Sequence, residues 1–399
     1  MVGTGVVTLV IAAIASLFMA WAIGAGSSGS TPFAPAVGAN AISVMRAGFF
    51  VGLLGFGGAV LQGANVSEAV GTELIGGVQL TAIAATTGLL VAAVLVAIGV
   101  FTGYPIATAF TVTGAIVGVG LAMGGDPAWA KYRQISALWV LTPFVGSSIA
   151  YTTAKLLRSE RTSEEVVIPL LGALVGLIVA NVKFVVLGPS DVSQSIAETA
   201  GDALALPATA GVETGTVVVS LAIAGFVAGL LAWDVRRNLA AGQRHFLLAL
   251  GSLVAFSAGG SQVGLAIGPL VPLLDPFEIP LVPVLVGGGL GLLAGSWTGA
   301  PRMIKALAQD YSALGPRRSI AALIPSFAIA QIAVFFGIPV SFNEIIVSAI
   351  VGSGYAAADG DGGGVSKEKM GYTVLAWLAS LVLAIGVGYG AFAAIEIFF

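Results

Sequence analysis

A short run of glycine, serine and proline stands where an apolar segment would otherwise continue, and it occurs twice. The first run is Gly24-Ala25-Gly26-Ser27-Ser28-Gly29-Ser30-Thr31-Pro32. The second is Gly259-Gly260-Ser261-Gln262-Val263-Gly264, followed by Gly268-Pro269. Each lies against a long apolar segment with no room for an ordinary surface loop, so each reads as an interrupted helix. Inside a bilayer a broken helix is tolerated only where the freed backbone groups face protein or a water-lined cavity. Paired breaks at corresponding places in two halves of a chain point to a transporter's binding site.

Composition places these breaks in a membrane. Of 399 residues, 57% are hydrophobic and 9% charged, against roughly a quarter charged in soluble domains. The 56 glycines suit close helix packing in lipid. A formal net charge of -3 argues against a nucleic-acid partner, and the absence of cysteine excludes disulfides and thiolate chemistry. The N-terminus lacks the basic start of a secretory signal, so it reads as the beginning of an uncleaved first membrane helix.

A spanning helix needs about 20 apolar residues. Segments that qualify lie near 3–24, 46–65, 78–102, 104–124, 134–157, 166–188, 214–233, 245–270, 280–297, 319–337, 339–358 and 370–398. The chain therefore reads as an all-α, multi-pass plasma-membrane protein with about 12 transmembrane helices. The stretch 25–45 is apolar but broken by Pro32 and Pro35, and reads as re-entrant or half-helical. Basic residues in short loops mark the cytoplasmic side: Arg158 with Arg161, Arg236 with Arg237 and Arg244, and Arg302, Lys305, Arg317 and Arg318. The loop 189–213, with Asp191, Glu198, Asp202 and Glu213, then lies outside, as do both termini. Lys131 and Arg133 also fall outside, against the rule.

A second pair of motifs recurs. Gly103-Tyr104-Pro105-Ile106-Ala107-Thr108 matches Gly337-Ile338-Pro339-Val340-Ser341-Phe342. Gly114-Ala115-Ile116-Val117-Gly118-Val119-Gly120 matches Ser348-Ala349-Ile350-Val351-Gly352-Ser353-Gly354. Gly24 precedes Gly103 by 79 positions, and Gly259 precedes Gly337 by 78. The orientation count puts matched points on opposite sides of the membrane, which predicts two inverted repeats with broken or re-entrant helices at the centre. The expected division is a first repeat over 1–150, connecting helices and an acidic loop over 151–244, and a second repeat over 245–399.

With both motif pairs in place, the chain resembles the inorganic phosphate transporter (PiT) family of anion permeases. That family carries a GANDxxNA-like signature once per repeat and a GLPVSTTH-like signature downstream. The matching stretches are Ile23 to Thr31 and Gly259 to Leu270, the latter with the closing Gly268-Pro269-Leu270 intact. Val66-Ser67-Glu68-Ala69-Val70-Gly71, Trp139-Val140-Leu141-Thr142-Pro143 and Arg302-Met303-Ile304-Lys305 also match. The resemblance covers nearly the whole chain and implies ion-coupled phosphate transport. The polar core departs from it. Gly26-Ser27 and Ser261-Gln262 stand where the family has Asn-Asp, and the later Asn of each signature is Ser30 and Leu265. The Thr-Thr-His portion is Thr108-Ala109-Phe110 in one repeat and Phe342-Asn343-Glu344 in the other. The family's aspartates are expected to serve sodium or the substrate's proton, and neither is present.

The chemistry fits a tetrahedral oxyanion. Helix N-termini supply unpaired amides and positive potential, and hydroxyls supply further donors. Ser27, Ser28, Ser30 and Thr31 offer these in the first break, and Ser261 and Gln262 in the second. Thr108, Ser341 and Asn343 follow the Gly-x-Pro turns and are placed to close the site. The bland alternative is that these small residues only permit tight packing. Glu344 falls inside the membrane, where an ionisable residue is functional by default, as a proton relay or cation ligand; a place at the external interface is the alternative. Arg46 reads as a topogenic charge and His245 as a solvated loop-edge residue. Asp359-Gly360-Asp361-Gly362-Gly363-Gly364 lacks the downstream glutamate of a calcium loop and reads as a flexible acidic loop.

The leading function is secondary active transport of inorganic phosphate, coupled to protons or sodium. Sulfate is the close alternative: it carries no proton for a carboxylate to accept, and a site without aspartate loses that discriminator. A polytopic membrane enzyme would need clustered carboxylates or a nucleophile-base pair, and a passive channel would not concentrate its substrate. Neither a cofactor nor a metal site is expected, and a homodimer is among the open oligomeric states.

Overall fold

The computed structural model describes residues 2–188, 193–208, 213–356 and 365–398. Asp191 and the 359–364 acidic stretch lie outside the described residues. The fold is all-α. The first half comprises α1 (Val2–Ile23), a π-helical turn (Gly24–Ser28), α2 (Ala34–Gly38), α3 (Val44–Gln62), α4 (Ala64–Thr72), α5 (Ala82–Thr102), α6 (Thr108–Ala122) and α7 (Trp129–Arg158). Three helices follow: α8 (Glu164–Ala180), α9 (Ile196–Ala203) and α10 (Thr214–Arg237). The rest comprises α11 (Leu239–Ile267), a 3-10 segment (Gly268–Leu273), α12 (Leu281–Thr298), α13 (Ala300–Gln309), α14 (Pro316–Phe335), α15 (Phe342–Tyr355) and α16 (Lys367–Phe398).

Nine helices among the described residues are long and apolar enough to cross a membrane. The other three expected spans are helical but short: α6 has 15 residues, α8 has 17 and α15 has 14. At about 1.5 Å per residue, α6 and α15 cover only about 70–75% of a bilayer's hydrocarbon. Each is the returning arm of a hairpin. Strands β1 (Ile75–Gly76) and β2 (Asp126–Pro127) pair just before α5 and just after α6, which ties the hairpin's open end together. The α14–α15 hairpin is closed the same way, by Ser366 N–H on Tyr311 O at 3.1 Å and by Lys369 on Asp310 at 3.0 Å. The two turns bend through left-handed glycines, Gly103 (φ +79°) and Gly337 (φ +58°), a conformation that glycine adopts without steric penalty.

The two interruptions differ in kind. At 24–33 the helix widens into the π turn and then stops, as the glycine, serine and proline run predicts. At 259–264 it does not break: α11 continues through Gly259-Gly260-Ser261-Gln262-Val263-Gly264 and gives way only at Gly268. The glycines there serve contact rather than bending. A Cβ on Gly259 would lie 1.9 Å from the carbonyl oxygen of Gly55 in α3. Its counterpart Gly24 meets Leu292 O of α12 at 2.1 Å in the same sense. At each of these points a helix of one half lies backbone to backbone on a helix of the other.

The hairpins are held by the same exchange: α16 packs along α6, and α7 along α15. Trp139 of α7 donates its indole N–H to Pro339 O at 2.8 Å, and Trp377 of α16 donates to Pro105 O at 2.7 Å. Eight residues beyond each tryptophan a backbone carbonyl meets a hairpin glycine. Ser147 O faces Gly352, and Ile385 O faces Gly118. Each glycine lies 13 positions past its proline (118 − 105 and 352 − 339). This is the packing of two inverted repeats, each gripping the other's hairpin.

Removing either clasp donor buries an unpaired carbonyl, which costs about 1–3 kcal/mol. Trp139→Phe and Trp377→Phe should each lower the thermal unfolding midpoint of the purified protein, by similar amounts; a loss confined to one would break the equivalence. Gly259→Ala forces a methyl into a backbone and should destabilise by about 1–3 kcal/mol or more. Gly229→Ala, where nothing lies within 4 Å, should be neutral in the same thermal assay.

Candidate substrate site

The site begins with the π turn. At its end, four donors converge on Ser27 O. They are the N–H groups of Ser30 and Thr31, both at 3.0 Å, and the hydroxyls of Ser30 and Thr31 at 3.1 and 3.0 Å. Ser30 and Thr31, expected as substrate donors, thus cap the break they sit in.

Ser27 points its side chain the other way. Its Oγ donates to Gln262 Oε1 at 3.1 Å, and Thr108 Oγ1, on the first residue of α6, donates to the same oxygen at 2.8 Å. Gln262 Nε2 donates to Val340 O, in the α14–α15 turn, at 2.6 Å. One glutamine therefore joins the π turn, the start of α6 and the turn before α15. Asn343 makes the companion link, its Nδ2 donating to Gly26 O at 3.0 Å and Ile106 O at 2.7 Å. Ile106 and Val340 are the matched residues of the two Gly-x-Pro motifs, and each gives its carbonyl to a side-chain amide. Ser341 is the N-cap of α15, accepting from Glu344 N–H at 3.4 Å.

All ten residues expected from the sequence are at most 2% exposed. The π turn, the unbroken 259–264 stretch of α11 and the two Gly-x-Pro turns meet in the interior, closed to solvent, and every hydrogen-bond partner in this knot is neutral. Four buried atoms here lack any partner: Ser28 Oγ, Ser261 Oγ, Asn343 Oδ1 and Glu344 Oε2. Native interiors leave few such atoms. The first two can donate, and the last two are acceptors when Glu344 is ionised. With both protons of its amide on backbone carbonyls, Asn343 has only an acceptor left, so it is poorly suited to the oxyanion role expected of it. Among the described residues no group of three or more His, Asp or Glu is placed to hold a metal ion.

Residues outside the knot find other roles. Lys131, anomalous by charge rule, bonds Glu73 at 2.7 Å and donates to Gly337 O at 3.2 Å, so it braces the second turn. His245 is exposed and meets Asp234 at 2.8 Å. Sequence reasoning missed the two clasping tryptophans. It also missed a polar chain in which Gln62 meets Gln331 at 3.4 Å and Gln331 Nε2 donates to Ser257 Oγ at 2.6 Å, one turn before Ser261. Glutamine in an apolar helix was the available signal for Gln62 and Gln331.

Comparison with known proteins gives the family and supports the fold. The model of the Phosphate transporter family matches residues 23–388. A putative phosphate permease of Thermococcus kodakarensis is 24% identical over 400 residues, covering 94% of this chain and 95% of that one. Inorganic phosphate transporter 2-1 of Arabidopsis thaliana, a chloroplastic protein, is 22% identical, covering 91% of this chain and 68% of the relative. A solved structure of a sodium-dependent phosphate transporter superposes with a TM-score of 0.81 at 21% identity, covering 98% of this chain and all of that one, and so shares the fold. From its N-terminal π turn to α16, the chain belongs to the phosphate transporter family, a family of permeases rather than enzymes.

Proposed function

We propose that this protein is a secondary transporter of inorganic phosphate in the plasma membrane, with its oxyanion site mid-membrane at the Ser27–Thr108–Gln262 knot. The observation that carries the reading is the pair of unpartnered hydroxyls, Ser28 Oγ and Ser261 Oγ, beside the residues that tie the two signature segments together. Two buried hydroxyls without partners are unfavourable unless a ligand completes them. Family membership and the phosphate named for each relative support the substrate. Repeats over about 1–150 and 245–399, joined through 151–244, would rock about this fixed site.

Sulfate is the second reading, favoured by the absence of any carboxylate among the donors of the knot. Coupling falls to Glu344. Its Oε2 is buried without a partner, and the adjacent Asn343 Oδ1 is likewise free. A single carboxyl suits a proton; the two neighbouring acceptors favour sodium as the alternative, the ion on which the structural neighbour, by its name, depends.

Each hydrogen bond to a charged group is worth roughly 1.5–3 kcal/mol, about tenfold or more in affinity. Ser28→Ala with Ser261→Ala should therefore raise the KM for phosphate uptake into proteoliposomes by about tenfold or more. Thr31→Val, which strips a cap from Ser27 O, should lower stability with a smaller effect on KM. A double variant that transports normally places the site elsewhere, and inhibition of uptake by sulfate at phosphate-like concentrations supports the second reading.

If Glu344 carries a proton inward with the anion, uptake falls as external pH rises, because fewer carboxyls load. Glu344→Gln should flatten that profile. Imposing pH and sodium gradients separately decides the ion: uptake driven by sodium alone, and surviving the substitution, would exclude the proton role.

A further inference from the structure

Gln262 sits in the knot as an acceptor towards the hydroxyls, opposite to the donor role that an anion ligand needs. Its orientation is fixed by chemistry. Val340 O has lone pairs only, so the end of the amide 2.6 Å from it is the nitrogen. The oxygen Oε1 then faces Ser27 and Thr108 and takes a proton from each, at 3.1 and 2.8 Å. Those are two hydroxyls that a phosphate oxygen would use. The amide oxygen offers them a partial negative charge through two lone pairs, as one phosphate oxygen would.

We infer that Gln262 Oε1 is a built-in stand-in for a substrate oxygen, which the incoming oxyanion displaces. The inference rests on the knot being the anion site. Two consequences follow from the bonding. First, the empty site keeps two of its donors satisfied, so it stays closed and dry without substrate, and the anion binds by exchange. Second, the amide is planar, so rotating Oε1 away also swings Nε2 from Val340 O. Occupancy of the site by substrate thereby loosens the α14–α15 turn from α11, while Trp139 and Lys131 still hold Pro339 O and Gly337 O.

Glutamine suits this task better than the aspartate of the family signature. A carboxylate has no donor for Val340 O, would hold the hydroxyls by stronger charge-assisted bonds, and would repel the anion. Asn343 cannot take the same role, since its amide nitrogen is committed to Gly26 O and Ile106 O while its oxygen has no partner.

The test is equilibrium binding of radiolabelled inorganic phosphate to the purified full chain, with hydrogen exchange followed across 337–341. Gln262→Met keeps the volume and removes the amide. It should bind phosphate about threefold to tenfold more tightly than the wild type, the gain expected when a competing bond is lost, while Ser27→Ala binds more weakly. In the wild type, phosphate should raise exchange across 337–341; in Gln262→Met exchange should be high with or without phosphate. Weaker binding by both Gln262→Met and Ser27→Ala would make Gln262 a ligand, overturning the stand-in role and leaving the anion site in place. Unchanged binding in both would move the site and overturn both readings. The wild-type exchange arm needs no variant: no change, or a decrease, on adding phosphate overturns the release of the turn.

Discussion

A carbonyl freed inside a membrane has nowhere to turn but the protein, and this structure is arranged around a handful of them. An unsatisfied backbone group in hydrocarbon costs several kcal/mol, so each interruption of a helix demands a dedicated donor. Ser27 O, where the π turn ends and the helix stops, receives the backbone and hydroxyl groups of Ser30 and Thr31. Pro105 O and Pro339 O, in the irregular turns before α6 and α15, receive the indoles of Trp377 and Trp139. Ile106 O and Val340 O, one residue on, receive the amides of Asn343 and Gln262. The residues expected to hold substrate thus divide into those spent on backbone repair and those left with free valence.

The donors that repair one hairpin come mainly from the other half of the chain. Trp139 belongs to the first repeat and holds the second repeat's turn; Trp377 does the reverse. The glycine contacts cross in the same way, Gly24 on α12 and Gly259 on α3. Neither half is complete alone. A movement of one repeat against the other must therefore work through these crossed points, among them the Gln262 and Asn343 amides at the centre of the knot.

Much of this was legible in the sequence, for identifiable reasons. Hydropathy located the helices, because a continuous run of about 20 apolar residues satisfies its own backbone in lipid only as a helix. Motif spacing revealed the repeat, because Gly103 and Gly337 each must turn left-handed before a proline. All ten residues those motifs single out are buried. Other features were illegible for equally physical reasons. Gly259 to Gly264 reads as a break, yet packing against α3 and α4 keeps it helical; glycine as hinge and glycine as contact are indistinguishable without a neighbour. Ser30 and Thr31 look like ligands because a cap and a ligand need the same hydroxyl. Trp139 lies within a recognised stretch, but nothing local says that its indole crosses to the other repeat.

The missing charge follows from the same constraint. A lysine or arginine in the knot would bind an oxyanion more strongly, but when the site is empty it would be a buried cation without a partner, at a cost of several kcal/mol. Hydroxyls and amides can satisfy one another while they wait, as Ser27, Thr108 and Gln262 do. A site that must alternate between empty and loaded inside lipid needs groups that are tolerable in both states. In the proposed site, neutral donors with an exchangeable neutral acceptor meet that need. The serine and glutamine that replace the family's aspartates are therefore consistent with a working permease, in which a buried carboxyl, Glu344, has no bonded partner for its Oε2.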